Sequence, residues 1–98
     1  STDALKTIGD KMVDKMGNGV CVLISEGEEK PNALIVVSKS LNSSGILAGD
    51  LAKSIGGFMG GGGGGKPHLA TAGGRDNNAI DQAIEKSRNL ITKLLKEN

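Results

Sequence analysis

Apolar positions at Leu5, Ile8, Met12, Val13 and Met16 fall on one face of a 3.6-residue period and predict a first helix over residues 2–16. Gly17-Asn18-Gly19 ends it, since these residues readily take the left-handed conformation that closes a helix. The opposite face alternates Asp10, Lys11, Asp14 and Lys15 and reads as solvated. Residues 20–25 and 33–38 are short β-rich runs, apolar at nearly every position, joined by the polar stretch Glu26-Gly27-Glu28-Glu29-Lys30-Pro31-Asn32. They predict an antiparallel hairpin in a sheet covered on both faces by helices, because a continuous apolar run leaves neither face for water. Asn42-Ser43-Ser44 offers caps for a second helix over residues 45–55. Leu47, Leu51, Ile55 and Phe58 step along one of its faces, with Ala48 and Ala52 small enough for close packing beside them. Leu69-Ala70-Thr71-Ala72 is a weaker third strand. Asp76, Asn77 and Asn78 can cap a last helix, in which Ile80, Ala83, Ile84, Ser87, Ile91, Leu94 and Leu95 keep helical spacing to the C-terminus. The order helix, strand, strand, helix, glycine loop, strand, helix predicts a single α/β domain over residues 1–98, a small mixed β-sheet with helices on its faces.

The stretch between the second helix and the third strand, GGFMGGGGGGKPHLATAGG over residues 56–74, holds ten of the chain's sixteen glycines. An ordered glycine costs more conformational entropy than any other residue, so the run is either a tether or a segment held by something specific. A tether would shade into serine and charge, whereas Ile55, Phe58 and Met59 lead in and Lys66-Pro67-His68-Leu69-Ala70 lead out. The glycines of residues 60–65 are therefore expected to be ordered in part, and Gly73-Gly74 to turn the chain with positive φ. Gly60 and Gly65-Lys66 fit G-x-x-x-x-G-K, but Pro67 stands where a phosphate-binding loop puts a hydroxyl on magnesium, and a helix precedes where that motif needs a strand. Polyglycine satisfies G-x-G-x-x-G trivially, so neither nucleotide motif carries weight.

GGGGGGKPHLATAGG, preceded by a helix ending LAKSIGG, resembles the C-terminal domain of alanyl-tRNA synthetases, a module related to the DHH-associated domain of DHH phosphoesterases. The phosphoesterase form carries His directly after its glycines, and Lys66-Pro67 is the synthetase-like form. Thr71 departs from the pattern, where many of these synthetases have Gln, and no side-chain contact is carried onto it. The resemblance covers nearly the whole chain. It implies a noncatalytic module that binds tRNA at the outer corner of its L shape, helps the aminoacylation and editing domains share one tRNA, and in many members takes part in homodimerisation. It implies no cofactor for this domain; ATP, magnesium and zinc would belong to the parent enzyme, which joins alanine to tRNA. The rival readings are the substrate-binding domain of a DHH phosphoesterase and a purely structural self-association module.

Composition narrows the mechanism. Phe58 is the only aromatic residue, so single-stranded RNA cannot be held by stacking bases on rings. Contact with RNA would have to come from backbone groups and positive charge. Net charge is only +1, yet no acid lies between Asp50 and Asp76, while Lys53, Lys66, His68 and Arg75 fall in or beside the glycines. Exposed glycine N–H groups can form an anion-binding concavity, to which the last helix could add its N-terminus. The candidate RNA-binding set is therefore Gly61, Gly62, Gly63, Gly64 and Gly65 with Lys66, Arg75 and Lys53. No catalytic constellation is present: the single His lacks a carboxylate near it in sequence, and one Cys with one His cannot build a zinc site. Cys21, inside an apolar run, reads as a small buried hydrophobe. No apolar run approaches the length of a membrane span and the N-terminus has no signal-like pattern, so a cytoplasmic location is expected. The start at Ser1-Thr2, without Met, suggests a piece of a longer polypeptide.

Overall fold

The computed structural model describes residues 2–15 and 17–97. Four helices pack on one four-stranded sheet: α1 (Thr2–Lys15), β1 (Val20–Ser25), β2 (Asn32–Val37), α2 (Lys39–Ser43), α3 (Ala48–Phe58), β3 (Gly62–Gly65), β4 (Leu69–Gly73) and α4 (Ile80–Glu97). Strand order is β1-β2-β4-β3, and every neighbouring pair is antiparallel. The expected α/β domain with helices on the sheet's faces is what the chain forms; the sheet is antiparallel throughout rather than mixed. Two hairpins, β1-β2 and β3-β4, dock through their inner strands, which fixes that pattern.

β2 carries the core. Leu34, Ile35, Val36 and Val37 are each at most 1 % exposed, because β2 lies inside the sheet and both of its faces are covered. Ala33, Ile35 and Val37 meet the α3 side together with Leu51, Ala52, Ile55 and Met59, and Ala83 of α4 joins them. Leu34 and Val36 face α1. There the closest approach is at Gly9, where a Cβ would stand 2.6 Å from Leu69 Cδ1 and 3.3 Å from Leu34 Cδ2. The helix thus turns a glycine toward the sheet and leaves Ile8 48 % exposed, although the periodicity placed Ile8 on the buried face. The side chains of Leu5 and Val13, and Met16 altogether, lie outside the described residues.

Two further expectations change. Asn42-Ser43-Ser44 belongs to the end of a separate short helix, α2, and Gly45 at φ +93° breaks the chain before α3 begins. Asn42 caps no helix; its Nδ2 donates to the carbonyls of Ile46 (2.9 Å) and Pro67 (2.8 Å), tying the β3-β4 turn to the segment before α3. The second correction concerns Gly73-Gly74, neither of which takes positive φ. Gly74 is required for space: a Cβ there would lie 2.4 Å from Met59 Cβ and 2.8 Å from Pro31 Cγ, whereas around Gly73 nothing lies within 4 Å. Gly74→Val is accordingly expected to destabilise by about 1–3 kcal/mol through overpacking, and Gly73→Val by much less. Urea unfolding of the two variants checks the ranking.

α4 starts as expected. Asp76 Oδ1 accepts the N–H of Asn78 (2.8 Å) at a short 3₁₀ turn, and Asn77 Nδ2 donates to the Gly27 carbonyl (3.0 Å), fastening the helix to the β1-β2 loop.

Candidate nucleic-acid interface

The glycine run is a strand, and its glycines divide into two kinds. α3 lies directly over β3, backbone against backbone, through the small stripe Gly49, Ala52 and Gly56. A Cβ on Gly56 would come within 2.3 Å of Gly62 O, and one on Gly49 within 2.8 Å of Gly65 O. From the strand side, a Cβ on Gly63 would meet Ala52 O at 2.6 Å and Thr71 O at 2.7 Å. Gly61 would strike Gly73 O at 2.1 Å, Gly60 holds φ +82°, and Gly65 holds φ +152° against Ala70. These positions have a structural reason for glycine. Gly62 and Gly64 have none: nothing lies within 4 Å of a Cβ at either, and neither has positive φ.

Alternation along the strand puts Gly62 and Gly64 on the face turned away from α3, where they pair with Gly73 and Thr71. Along β3 this face is bare peptide backbone, with the Thr71 side chain of β4 beside Gly64. Two shallow depressions lie along it, one of about 400 Å³ whose lining includes Gly62, Gly64, Thr71 and Gly73. The other, about 300 Å³, runs on to Lys66, His68 and Leu69, with Asp10 of α1 on its rim.

Of the charged candidates, Lys66 alone lines this face. It is exposed in the β3-β4 turn, whose Pro67 carbonyl accepts the N–H of Ala48 (2.8 Å) at the start of α3. Arg75 is also exposed but stands at the opposite end of the hairpin, its side chain beside Gly60. Five strand residues separate the two ends, roughly 17 Å at the usual rise. Lys53 is exposed on α3, behind the glycine strand. The structure does not gather Lys66, Arg75 and Lys53 into one patch. Nor does it form a loop of free amides: the N–H groups of Gly60, Gly61, Lys66, Gly74 and Arg75 bond to the carbonyls of Gly57, Gly56, Leu69, Pro31 and Met59. The start of α4 is capped by Asp76 and turned toward Gly27, so it offers no helix end to the glycines.

Within residues 60–66, which match the phosphate-loop spacing, Gly62–Gly65 run as an edge strand, and among the described residues no three of His, Cys, Asp and Glu stand together as metal ligands. Cys21 is half-buried, and that burial pushes its thiol pKa up, away from thiolate chemistry. Among the described residues, no helix is long and apolar enough to cross a membrane.

The DHHA1 domain family matches residues 1–93. An alanine–tRNA ligase of Pelotomaculum thermopropionicum is 40% identical over 94 residues, 96% of this chain and 11% of the relative. One from Desulforamulus reducens is 43% identical over 83 residues, 85% of this chain and 10% of the relative. This chain thus spans about a tenth of the length of the relatives it matches. Among solved structures, the C-Ala domain from Aquifex aeolicus alanyl-tRNA synthetase superposes with a TM-score of 0.82 at 25% identity, covering 93% of this chain and 81% of that one.

Proposed function

The chain belongs to the DHHA1 domain family and is homologous to the C-Ala domain of alanyl-tRNA synthetase, and from that premise we propose that it binds tRNA by laying the bare face of its glycine strand against the outer corner of the molecule. The observation that carries this reading is the pair Gly62 and Gly64. Glycine inside a strand weakens it, by about 0.5–1 kcal/mol per residue relative to alanine, and at these two positions the fold gains nothing in return. What glycine does provide is a strand with no side chains, on which a partner's surface can approach the peptide planes closely. In a chain with one aromatic ring, that strand is also the flat surface best suited to meet RNA by shape.

The parent protein would ligate alanine to tRNA with ATP in domains beyond this chain, which would be its partners on the same tRNA. This domain contributes position: it holds the tRNA body. Lys66, beside the glycine strand, is placed to meet a phosphate. Arg75, at the far end of the hairpin, would reach another, and Lys53, behind the strand, contributes least. With so few cations and Asp10 on the rim, binding is weak, in the range of about 10⁻⁴–10⁻⁶ M at physiological salt.

Fluorescence anisotropy with labelled tRNA across a salt series tests the electrostatic part. Affinity should fall with salt, Lys66→Glu should weaken binding and reduce the slope by about one phosphate contact, and a Glu28→Lys, Glu29→Lys pair in the β1-β2 loop should not weaken it. Binding by Lys66→Glu equal to wild type at every salt concentration would remove the phosphate role.

A further inference from the structure

β1 is the edge of the sheet opposite the glycine strand, and its sequence carries none of the devices that usually keep an edge from pairing. Its six residues, Val-Cys-Val-Leu-Ile-Ser, include no charge and no proline, and they run in unbroken register with β2, without a bulge. Gly19 O accepts the N–H of Ser38, so by antiparallel alternation Cys21, Leu23 and Ser25 direct their backbone groups at β2, while Val20, Val22 and Ile24 direct theirs at the free edge. The side chains of those same three residues are partly buried on the core side of the sheet. An open groove of about 400 Å³ runs beside them between β1 and α4, lined by Val22, Ile24, Ile84, Ser87, Arg88 and Ile91 among others. Ser87 in its wall is 3 % exposed, and its hydroxyl has no hydrogen-bond partner. A buried hydroxyl left unpaired costs free energy that a polar group entering the groove would recover.

Helix and strand run in opposite directions along this groove. α4 begins where Asn77 is bonded to Gly27, beyond the C-terminal end of β1. Its later part, at Leu90 and Leu94, lies by Gly45 and Leu47, which follow the Val37 end of β2 that pairs with Val20. Both walls change sign in the same sense. At the C-terminal end of β1 stand the exposed Glu26, Glu28 and Glu29, with Lys30 the single cation among them, and the first turns of α4 add the exposed Asp81 and Glu85. Toward the other end, Lys15 closes α1, Lys39 follows β2, and α4 carries Arg88, Lys93 and Lys96 with no acid before Glu97. Arg88 is the one charged residue in the groove lining. The complementary strand therefore lies antiparallel to β1, basic where it begins, beside the glutamates, and acidic where it ends, beside the lysines.

We propose that the β1 edge and its groove receive an extended segment of another protein, apolar in the middle, basic before and acidic after, which adds antiparallel to β1 as a fifth strand. Residues of the segment opposite Ile24, Val22 and Val20 exchange backbone hydrogen bonds with them and turn their side chains into the groove. By the opposed directions of strand and helix, the outer two of these meet Ile84 and Ile91, and the middle one, a threonine or serine, meets Ser87. The glycine strand is at the far edge of the sheet, so this docking stands whether or not that strand binds RNA.

An NMR titration of the labelled chain with the synthetic peptide Lys-Lys-Val-Val-Thr-Thr-Ile-Glu-Glu, without RNA, tests this. Shift changes should centre on Val20, Val22, Ile24, Ile84, Ser87 and Arg88 and leave β3 unmoved. N-methylation of the first threonine, whose N–H points at Val22, should weaken binding at least tenfold, whereas N-methylation of the second valine, whose N–H points to solvent, should not. A peptide with the flanks exchanged, Glu-Glu first and Lys-Lys last, should bind more weakly, most clearly at low salt. Ile84→Glu, at a position 41 % exposed, should weaken binding without moving the thermal midpoint. No change at β1 with millimolar peptide overturns the proposal, and so does equal binding of the two N-methylated peptides. An edge already held by a second copy of the chain, seen in sedimentation as a dimer that the peptide does not dissociate, overturns it as well.

Discussion

Gly56→Ala is expected to lower stability by about 3 kcal/mol, at the upper end of what overpacking costs, while Gly57→Ala, one residue on, raises it by about 0.5–1 kcal/mol. Both glycines sit in the last turns of α3. At Gly56 the added methyl has nowhere to go: it would stand 2.3 Å from the Gly62 oxygen and 2.4 Å from the Gly62 carbonyl carbon. Those atoms are backbone in a strand already paired with β4, so relief requires sliding the helix off the strand or the strand off the sheet. Either movement also opens Ile55 and Met59, which are buried against the same elements. At Gly57 nothing lies within 4 Å and the residue is exposed, so alanine only restricts the unfolded chain and improves helix propensity. Chemical denaturation of the pair checks it, and equal effects would mean that α3 does not rest on β3 as described.

The second large effect runs the other way, on binding with stability intact. A Gly62→Leu, Gly64→Leu double variant should melt at or above the wild-type temperature, because both side chains enter open space and residues with a Cβ suit a strand better than glycine. It should nevertheless lose at least tenfold in tRNA affinity, since two leucines stand on the strand face the RNA is proposed to meet. Loss of fold and loss of surface are thereby separated: Gly63→Leu, aimed into α3, should instead destabilise and lose binding together. A double variant that melts normally and binds normally would leave Gly62 and Gly64 without any assigned reason.

β1, β2 and α4 could be read from residue patterns because their side chains carry the period that defines them. β3 could not. Strand propensity resides in side chains, and four consecutive glycines have none; what makes residues 62–65 a strand is the ladder to β4 and the small stripe Gly49-Ala52-Gly56 above it. Ala48 and Ala52 did signal close packing, and the backbone that comes close is the glycine strand. Ile8 was misplaced for a related reason, because apolar periodicity gives no weight to glycine and α1 meets the sheet through Gly9. At the site, the residues of GGGGGGKPHLATAGG were enough to suggest the family. They could not show that Lys66 and Arg75 stand at opposite ends of one hairpin, nor that Gly61 and Gly63 serve packing while Gly62 and Gly64 do not. That division depends on which way each missing Cβ points, which follows only from the register with β4.

The most direct measurement is an amide-resolved NMR titration of the labelled chain with unlabelled tRNA. The glycine-face reading predicts that the largest shift changes or broadening appear at Gly62, Gly64, Thr71 and Gly73, extending to Lys66 and His68, with little at α4 and β1. Changes centred on α4, or on the β1-β2 loop, with the β3-β4 face unmoved, would contradict it.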